Sequence, residues 1–261
     1  MADPRQIERR YQAALVRMVR GVTAIIRDLL FAELDRTPSA DSVHSDAMPG
    51  DLAELIARVR AQSEAGVVST IESLEDFAER TSGFSRAQFQ RSVRQAFGVD
   101  ILAAEPALNG LVAEWSARNA SLITSIRDTL LDQVAEVTRE AFGAGLSTEQ
   151  TKTRIAERFE VSESRAKLIA RDQIATLNGQ MTQARNEKLG ISQYEWATAG
   201  DERVRETHTP LNGKICRWDD NTVYRDQGSD EWRPRSEIGA VELHPGEDIQ
   251  CRCTSFAIVE I

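Results

Sequence analysis

Three pieces of sequence decide how this chain divides. They are Trp-Ala-Thr-Ala-Gly-Asp-Glu-Arg-Val-Arg-Glu-Thr-His (196–208), Leu-Asn-Gly-Lys-Ile-Cys-Arg-Trp-Asp-Asp (211–220) and His-Pro-Gly-Glu-Asp-Ile-Gln-Cys-Arg-Cys-Thr (244–254). The stretch from Trp196 to Ile261 holds all three cysteines and two of the three histidines. Metal-ligand residue types thus concentrate in a tail punctuated by Gly and Pro, after a long body that has almost none. This contrast marks a separate small module.

Upstream, the texture is helical. Ile7, Tyr11, Leu15, Met18, Val22, Ile25 and Leu29 recur in steps of four and three, which keeps them on one face of a helix over 6–34. Arg9, Arg10, Arg17, Arg20 and Arg27 fall elsewhere, as a solvated face. Residues 37–50, with Pro38, His44, Pro49 and Gly50, read as a loop. A second helix is expected to about Arg80, ended by Thr81-Ser82-Gly83, then a shorter one from Ser85 to Phe97. Gly98-Val99-Asp100 and Glu105-Pro106 mark a connection before a long helix over Leu108–Phe142. Ser147-Thr148-Glu149-Gln150 is a capping box that starts a short helix to Phe159. Ser162 is expected to cap the next helix, 163–188, with Gly190 as its stop.

After Gly190 the alternation of Gln193–Thr198, of Gly213–Trp218 and of the terminal run Cys251–Val259 predicts short strands. Asp219–Glu242 reads as a polar, variable loop. The expectation is therefore an α+β protein: a helical body over 1–160 and a C-terminal module over 161–261 led by helix 163–188.

Composition bounds the function. The chain has 261 residues, a hydrophobic fraction of 41% and a charged fraction of 28%, as in soluble globular proteins. A formal charge of −9 argues against a surface built to grip nucleic acid, since phosphate neutralisation calls for a basic excess. No apolar run approaches the ~18–20 residues that span a bilayer, and the start lacks a hydrophobic signal region. A cytoplasmic protein with no membrane partner is the expectation. Three cysteines do not make a disulfide framework in such a compartment.

The site with chemistry in it is the tail. In a strand Cys251 and Cys253 would face one side, and His244 could return to that side through Pro245-Gly246. His208 would supply a fourth group, and two thiolates with two imidazoles suit a structural Zn²⁺. Cys-x-Cys is tighter than the spacing of zinc fingers, and buried cysteines that are only core residues explain the pair nearly as well. Cys216 reads as a strand core residue. A nucleophilic Cys251 with His208 or His244 and Asp201 has the right residue types, but no nucleophile elbow, phosphate loop or zincin motif accompanies it. Asp201, Arg203 and Arg205 alternatively form a salt-bridged loop. In the last helix, Gly179 costs ~1 kcal/mol relative to Ala and so points to close packing of another backbone. Arg171, Asp172 and Gln173 read as hydrogen-bonding groups that dock the tail.

The order Gly-Asp-x-Arg-Val-x-x-x-His (Asp201, Arg203, His208), Leu-x-Gly-Lys (Gly213) and His-Pro-Gly (Pro245), then Cys-Arg-Cys-Thr (Arg252), resembles the Mu F-like head morphogenesis proteins of tailed bacteriophages. Ile-Ala-Arg-Asp-Gln (169–173) and Leu-Asn-Gly-Gln (177–180), with Asn178, extend the resemblance upstream. Some family members carry cysteines where this chain has Arg205 and His208, and the loss of one of them to Arg weakens the case for a metal here. The resemblance implies a non-enzymatic minor head protein of a phage or prophage that meets the portal during procapsid assembly. Scaffold, major capsid protein and packaged DNA are further partners on this reading, with roles in DNA packaging or ejection. It places the protein in the host cytoplasm during assembly and inside the virion head afterwards. The competing readings are a toxin-like or nucleotide-processing enzyme domain with a Cys/His site, and a zinc-stapled nucleic-acid-binding module.

Overall fold

The computed structural model describes residues 4–36, 51–97 and 108–258. The expected linker over 37–50 with His44, and the connection through Gly98 and Pro106, lie outside these residues. The architecture is α+β. The helices are α1 (Pro4–Ile26), continued by a π turn (Arg27–Phe31) into α2 (Ala32–Arg36), then α3 (Leu52–Glu72), α4 (Leu74–Phe97), α5 (Leu108–Gly143) and α6 (Thr148–Lys188). The strands β1 (Gln193–Ala197), β2 (Ile215–Arg217), β3 (Val223–Tyr224), β4 (Arg233–Pro234) and β5 (Thr254–Ile258) follow. No described helix is long and apolar enough to cross a membrane.

Two compact units emerge, each built from separate stretches of the chain. One unit comprises the described parts of Arg9–Leu74 and Ser116–Ala170; the other comprises those of Met1–Glu8, Glu75–Trp115 and Arg171–Ile261. The separate helices expected to Phe159 and over 163–188 are one helix, α6, from Thr148 to Lys188. Ser162 lies inside it, buried, where a cap was expected. Around Ser162 there is no Gly or Pro to end the backbone ladder, so the hydroxyl has no free helix terminus to serve. The capping box at the true start is formed: Gln150 N donates to Ser147 Oγ at 3.3 Å and Ser147 N donates to Gln150 Oε1 at 2.9 Å.

In the all-helical unit, Tyr11, Leu15, Met18, Val22, Ile26, Leu30 and Leu34 are buried. The stripe departs from expectation at its end, where Ile26 and Leu30 replace Ile25 and Leu29. Steps of four drift around an ordinary α-helix, and the wider π turn at Arg27–Phe31 takes the drift back. Tyr11 Oη donates to Asn119 Oδ1 at 2.8 Å in this core, and burial pushes the Tyr11 phenol well up. Arg20 clamps Glu163 through two bonds of 2.9 and 3.0 Å.

The break between α3 and α4 also differs from expectation. It falls at Ser73, and α4 runs straight through Thr81-Ser82-Gly83. Thr81 turns its hydroxyl back onto Phe77 O at 2.8 Å, which removes the competition a threonine offers to helical bonding. Gly83 is exposed and has open space where a side chain would go.

In the other unit, α4 and the C-terminal half of α6 share polar contacts. Arg185, buried, donates to Ser82 O and Ser82 Oγ at 3.1 Å and also bonds Ser85 Oγ. Trp115 Nε1 donates to Gln173 O at 2.9 Å. Phe89 packs with Ile191, alongside Leu189 and Ala257. The strands form an antiparallel sheet in the order β2-β1-β5, with Tyr194 opposite Cys216 and Ala257, and a separate β3-β4 ladder. The terminal strand covers only Thr254–Ile258, so Cys251 and Cys253 precede it rather than lying in it. Asp219–Glu242 is folded, not a plain loop: it carries β3, β4 and a 3₁₀ turn at Arg235–Ile238.

If α4 is continuous, Gly83→Ala should stabilise the protein by about 0.5–1 kcal/mol, because it gains helix propensity in an exposed, unobstructed position. Urea unfolding measures this. Destabilisation would place a turn at Gly83.

Candidate functional site

The site rests on the contact between α6 and the loop 244–253. A side chain on Gly179 would put its Cβ 2.6 Å from Pro245 O, and one on Gly246 would put its Cβ 3.0 Å from Ala175 O. Both glycines are therefore required by close backbone approach, and Gly246 also has φ of 92°. Thr176 Oγ1 donates to Gly246 O at 3.1 Å, and Gln250 N donates to Asp172 Oδ1 at 2.6 Å. Gln250 itself has φ of 58°, a strained conformation for a side chain that turns the loop before the cysteines. Of the three groups expected on α6 to dock the tail, Asp172 is the one that bonds it. Asp172 bonds the loop, Gln173 bonds Asp172 through Nε2 at 3.1 Å, and Arg171 pairs with Glu8 at 3.2 Å.

Next to this contact lies the module core: Tyr194, Trp196, Leu211, Cys216, Trp218, Tyr224, Cys251 and Cys253. Tyr194 and Trp196 come from the inward positions of β1. At the centre is Arg235, fully buried. Its guanidinium donates to Val223 O (3.1 Å), Val241 O (3.1 Å), Leu243 O (2.8 Å) and Tyr194 Oη (3.3 Å), and lies 5.5 Å from the Trp196 ring centroid. Carbonyl dipoles and π faces solvate this charge in place of water. Sequence reading missed Arg235 because its neighbours are polar and only its burial distinguishes it.

The four residues expected as ligands do not come together as a set. His208, Cys251 and Cys253 do: their ligand atoms lie within 4.8 Å of one another. His208 Nδ1 is 3.4 Å from Cys253 Sγ and 3.7 Å from Cys251 Sγ. His244 is elsewhere in its bonding, with Nδ1 3.0 Å from Tyr194 Oη and its ring 5.2 Å from Trp218. Burial is the largest influence on His244 and pulls its pKa down. Asp248 was also missed from the sequence; its Oδ2 lies 3.0 Å from His208 Nε2. Its position three residues before Cys251 was the available signal. An imidazole donating Nε2–H to this carboxylate turns the Nδ1 lone pair towards both sulfurs.

Electrostatics separate the two thiols. A hydrogen bond from Cys253 is the main influence that brings the Cys251 thiol down to about 6, with help from the amides of Gly246 and Cys253, each 3.4 Å from Sγ. Burial opposes this. Cys253 moves up, first because it donates to Cys251 and then because it is buried.

Arg171, Arg203, Arg205 and Arg252 line a pocket that His208, Cys251 and Cys253 also border. Arg205 bonds Asp248 and, at 2.6 Å, Ile249 O. Arg252 holds Asp201 through two bonds of 2.5 Å, and Arg203 N donates to Asp201 Oδ1 at 3.1 Å. The Arg252 bond is the largest influence lowering the Asp201 carboxyl to about 2. Burial raises Asp248, but its bonds to Arg205 and His208 outweigh this and leave it low. Gly213, at φ of 75°, lets its N–H reach Trp196 O at 2.8 Å. The Asn178 side-chain oxygen is buried without a hydrogen-bond partner among the described residues.

Residues 132–256 match the model of the Phage Mu protein F-like family. The chain is similar to an uncharacterised protein of Haemophilus influenzae, 30% identical over 187 residues, covering 70% of this chain and 38% of that one. It is also similar to minor head protein GP7 of Bacillus phage SPP1, 27% identical over 143 residues, covering 51% of this chain and 42% of GP7. The chain thus aligns with about two fifths of the length of these curated relatives. No solved structure matches it.

Gly179→Ala should cost about 1–3 kcal/mol in urea unfolding, since the overlap with a backbone carbonyl outweighs the gain in helix propensity. A neutral or stabilising effect would contradict the close contact. The Asp201 pair gives a pH signature. Because its folded pKa is depressed to about 2 from 3.8, its contribution is present above about pH 4 and is lost as pH falls towards 2. The stability advantage of the native protein over Asp201→Asn should shrink across that window; an advantage independent of pH would remove the ion pair from the account.

Proposed function

With residues 132–256 carrying a Phage Mu protein F-like region, we propose that the chain is a structural minor head protein of a tailed bacteriophage or prophage. It acts in portal-associated procapsid assembly and contributes to DNA packaging or ejection. The observation that carries this reading is the match of that region together with the similarity to a minor head protein. The structure is compatible: α5 and α6 are 36 and 41 residues long, and long helices offer extended faces to partner helices. The net charge of −9 suits a protein that works beside packaged DNA without coating it. Portal, scaffold and major capsid protein are the partners on this reading. Host cytoplasm and then head interior are the locations.

The competing enzymatic reading draws on one observation, the Cys–His–Asp chain formed by Cys251 or Cys253, His208 and Asp248. A nucleophile pair needs one thiol beside its base and free N–H donors for the developing oxyanion. Here two sulfurs share one nitrogen, and the amides of Gly246 and Cys253 are directed at Cys251 Sγ. We therefore read the protein as structural and not catalytic.

The test is a nonsense mutation in the gene of a phage or inducible prophage that encodes this chain. Particles made without it should be empty, aberrant or poorly infectious, and the purified protein should co-sediment with portal. Normal heads of full infectivity, with no portal association, would contradict the proposal.

A further inference from the structure

We propose that His208 Nδ1, Cys251 Sγ and Cys253 Sγ bind a thiolate-selecting divalent cation of the Zn²⁺ type, with Asp248 as the carboxylate that orients His208. His244 takes no part in this site. The argument begins with distances. In a tetrahedral zinc site with Zn–S of about 2.3 Å and Zn–N of about 2.05 Å, the nitrogen-to-sulfur edges are about 3.6 Å. The two observed edges, 3.7 Å to Cys251 and 3.4 Å to Cys253, bracket that value. A hydrogen-bonded thiol and imidazole would need only one such edge. Two sulfurs converging on one nitrogen are the pattern of ligands around a common centre.

The surroundings agree. A metal-binding imidazole usually donates its other N–H to a carboxylate, which fixes the tautomer and the ring. Asp248 stands 3.0 Å from His208 Nε2, and Arg205 bonds the same carboxylate oxygen, so the orienting group is itself held. Two amide N–H groups already point at Cys251 Sγ, at 3.4 Å, a placement that favours a thiolate there. Cys251 and Cys253 are only 4% and 9% exposed, and His208 only 2%. Soft ligands in this shell select Zn²⁺ over Mg²⁺ or Ca²⁺, which prefer oxygen. Binding requires both thiols as thiolates, and their protons pass to solvent. His208, Cys251 and Cys253 supply three of the four positions of a tetrahedral site.

The test uses the full chain, purified under reducing conditions without chelator. Elemental analysis should find about one Zn²⁺ per chain. Co²⁺ added to the chelated protein should give a sulfur-to-cobalt charge-transfer band and the intense visible bands of a tetrahedral site. His208→Ala, Cys251→Ser and Cys253→Ser should lose the metal, whereas Cys216→Ser and His244→Gln, if folded by circular dichroism, should keep it. Asp248→Asn should weaken the metal about 10–100-fold while leaving the cobalt spectrum tetrahedral. If the cysteine variants do not fold, the cobalt spectrum of the wild type still decides. Reduced wild-type protein with neither stoichiometric zinc nor a cobalt–thiolate band overturns the proposal, and so does metal lost from a folded His244→Gln. Metal-free protein with a reactive Cys251 that turns over substrate would overturn it in favour of the nucleophile reading.

Discussion

The C-terminal module depends on one steric constraint, the passage of the His244–Gly246 turn across α6 at backbone contact distance. Only a helix with no side chain at position 179 lets Pro245 O come this close, and only a glycine at 246 fits beneath Ala175 O. A glycine inside a helix costs ~1 kcal/mol, so the position is kept against local preference. What the contact gains is registration. It fixes where the loop begins, and the Gln250 amide on Asp172 fixes where it turns. Cys251 and Cys253 follow within three residues, so the sulfurs are placed by α6 rather than by the strand they precede.

The rest of the site is braced from the other side. Arg252, between the two cysteines, is held by Asp201, and Asp248 is held by Arg205. These pairs are partly exposed and contribute little as free energy. Their effect is geometric, since each joins the loop 198–208 to the loop 244–253 and brings His208 over the sulfurs. Beneath them Arg235 gathers three carbonyls and the Tyr194 hydroxyl, so that chain segments with little regular structure share one buried donor. A module with short strands and few apolar side chains gains its order from such crosslinks.

Much of this was legible in sequence, for reasons that differ by element. The helical stripe from Tyr11 to Val22 and the span of α5 follow from apolar periodicity, which burial enforces. The Gly179 backbone contact was legible because a glycine in a helix needs a cause. The breaks were not: Ser162 and Thr81-Ser82-Gly83 look like terminators locally, but their helices continue because packing of Ala166, Ala170 and Ser85 outweighs local cost. Of the four residues singled out by type and spacing, His208, Cys251 and Cys253 come together in the structure, while His244 bonds Tyr194 and Asp248 was not singled out. Whether a histidine faces a sulfur or a tyrosine depends on tertiary packing that spacing does not encode. Arg235 is the clearest case. In the polar run 219–242 it looks solvated, and its burial follows only from three carbonyls meeting it.

The constraint on α6 is most directly measured by amide hydrogen exchange at residue resolution in the full chain. If the turn is held on α6, the Gln250 amide should exchange at the slow rate of the β1 amides, and Gly179→Ala should accelerate both together, because they open as one unit. Fast exchange at Gln250 and Cys251 in the native protein, beside slow exchange in α6 and β1, would show a loop that is not docked and would contradict the account.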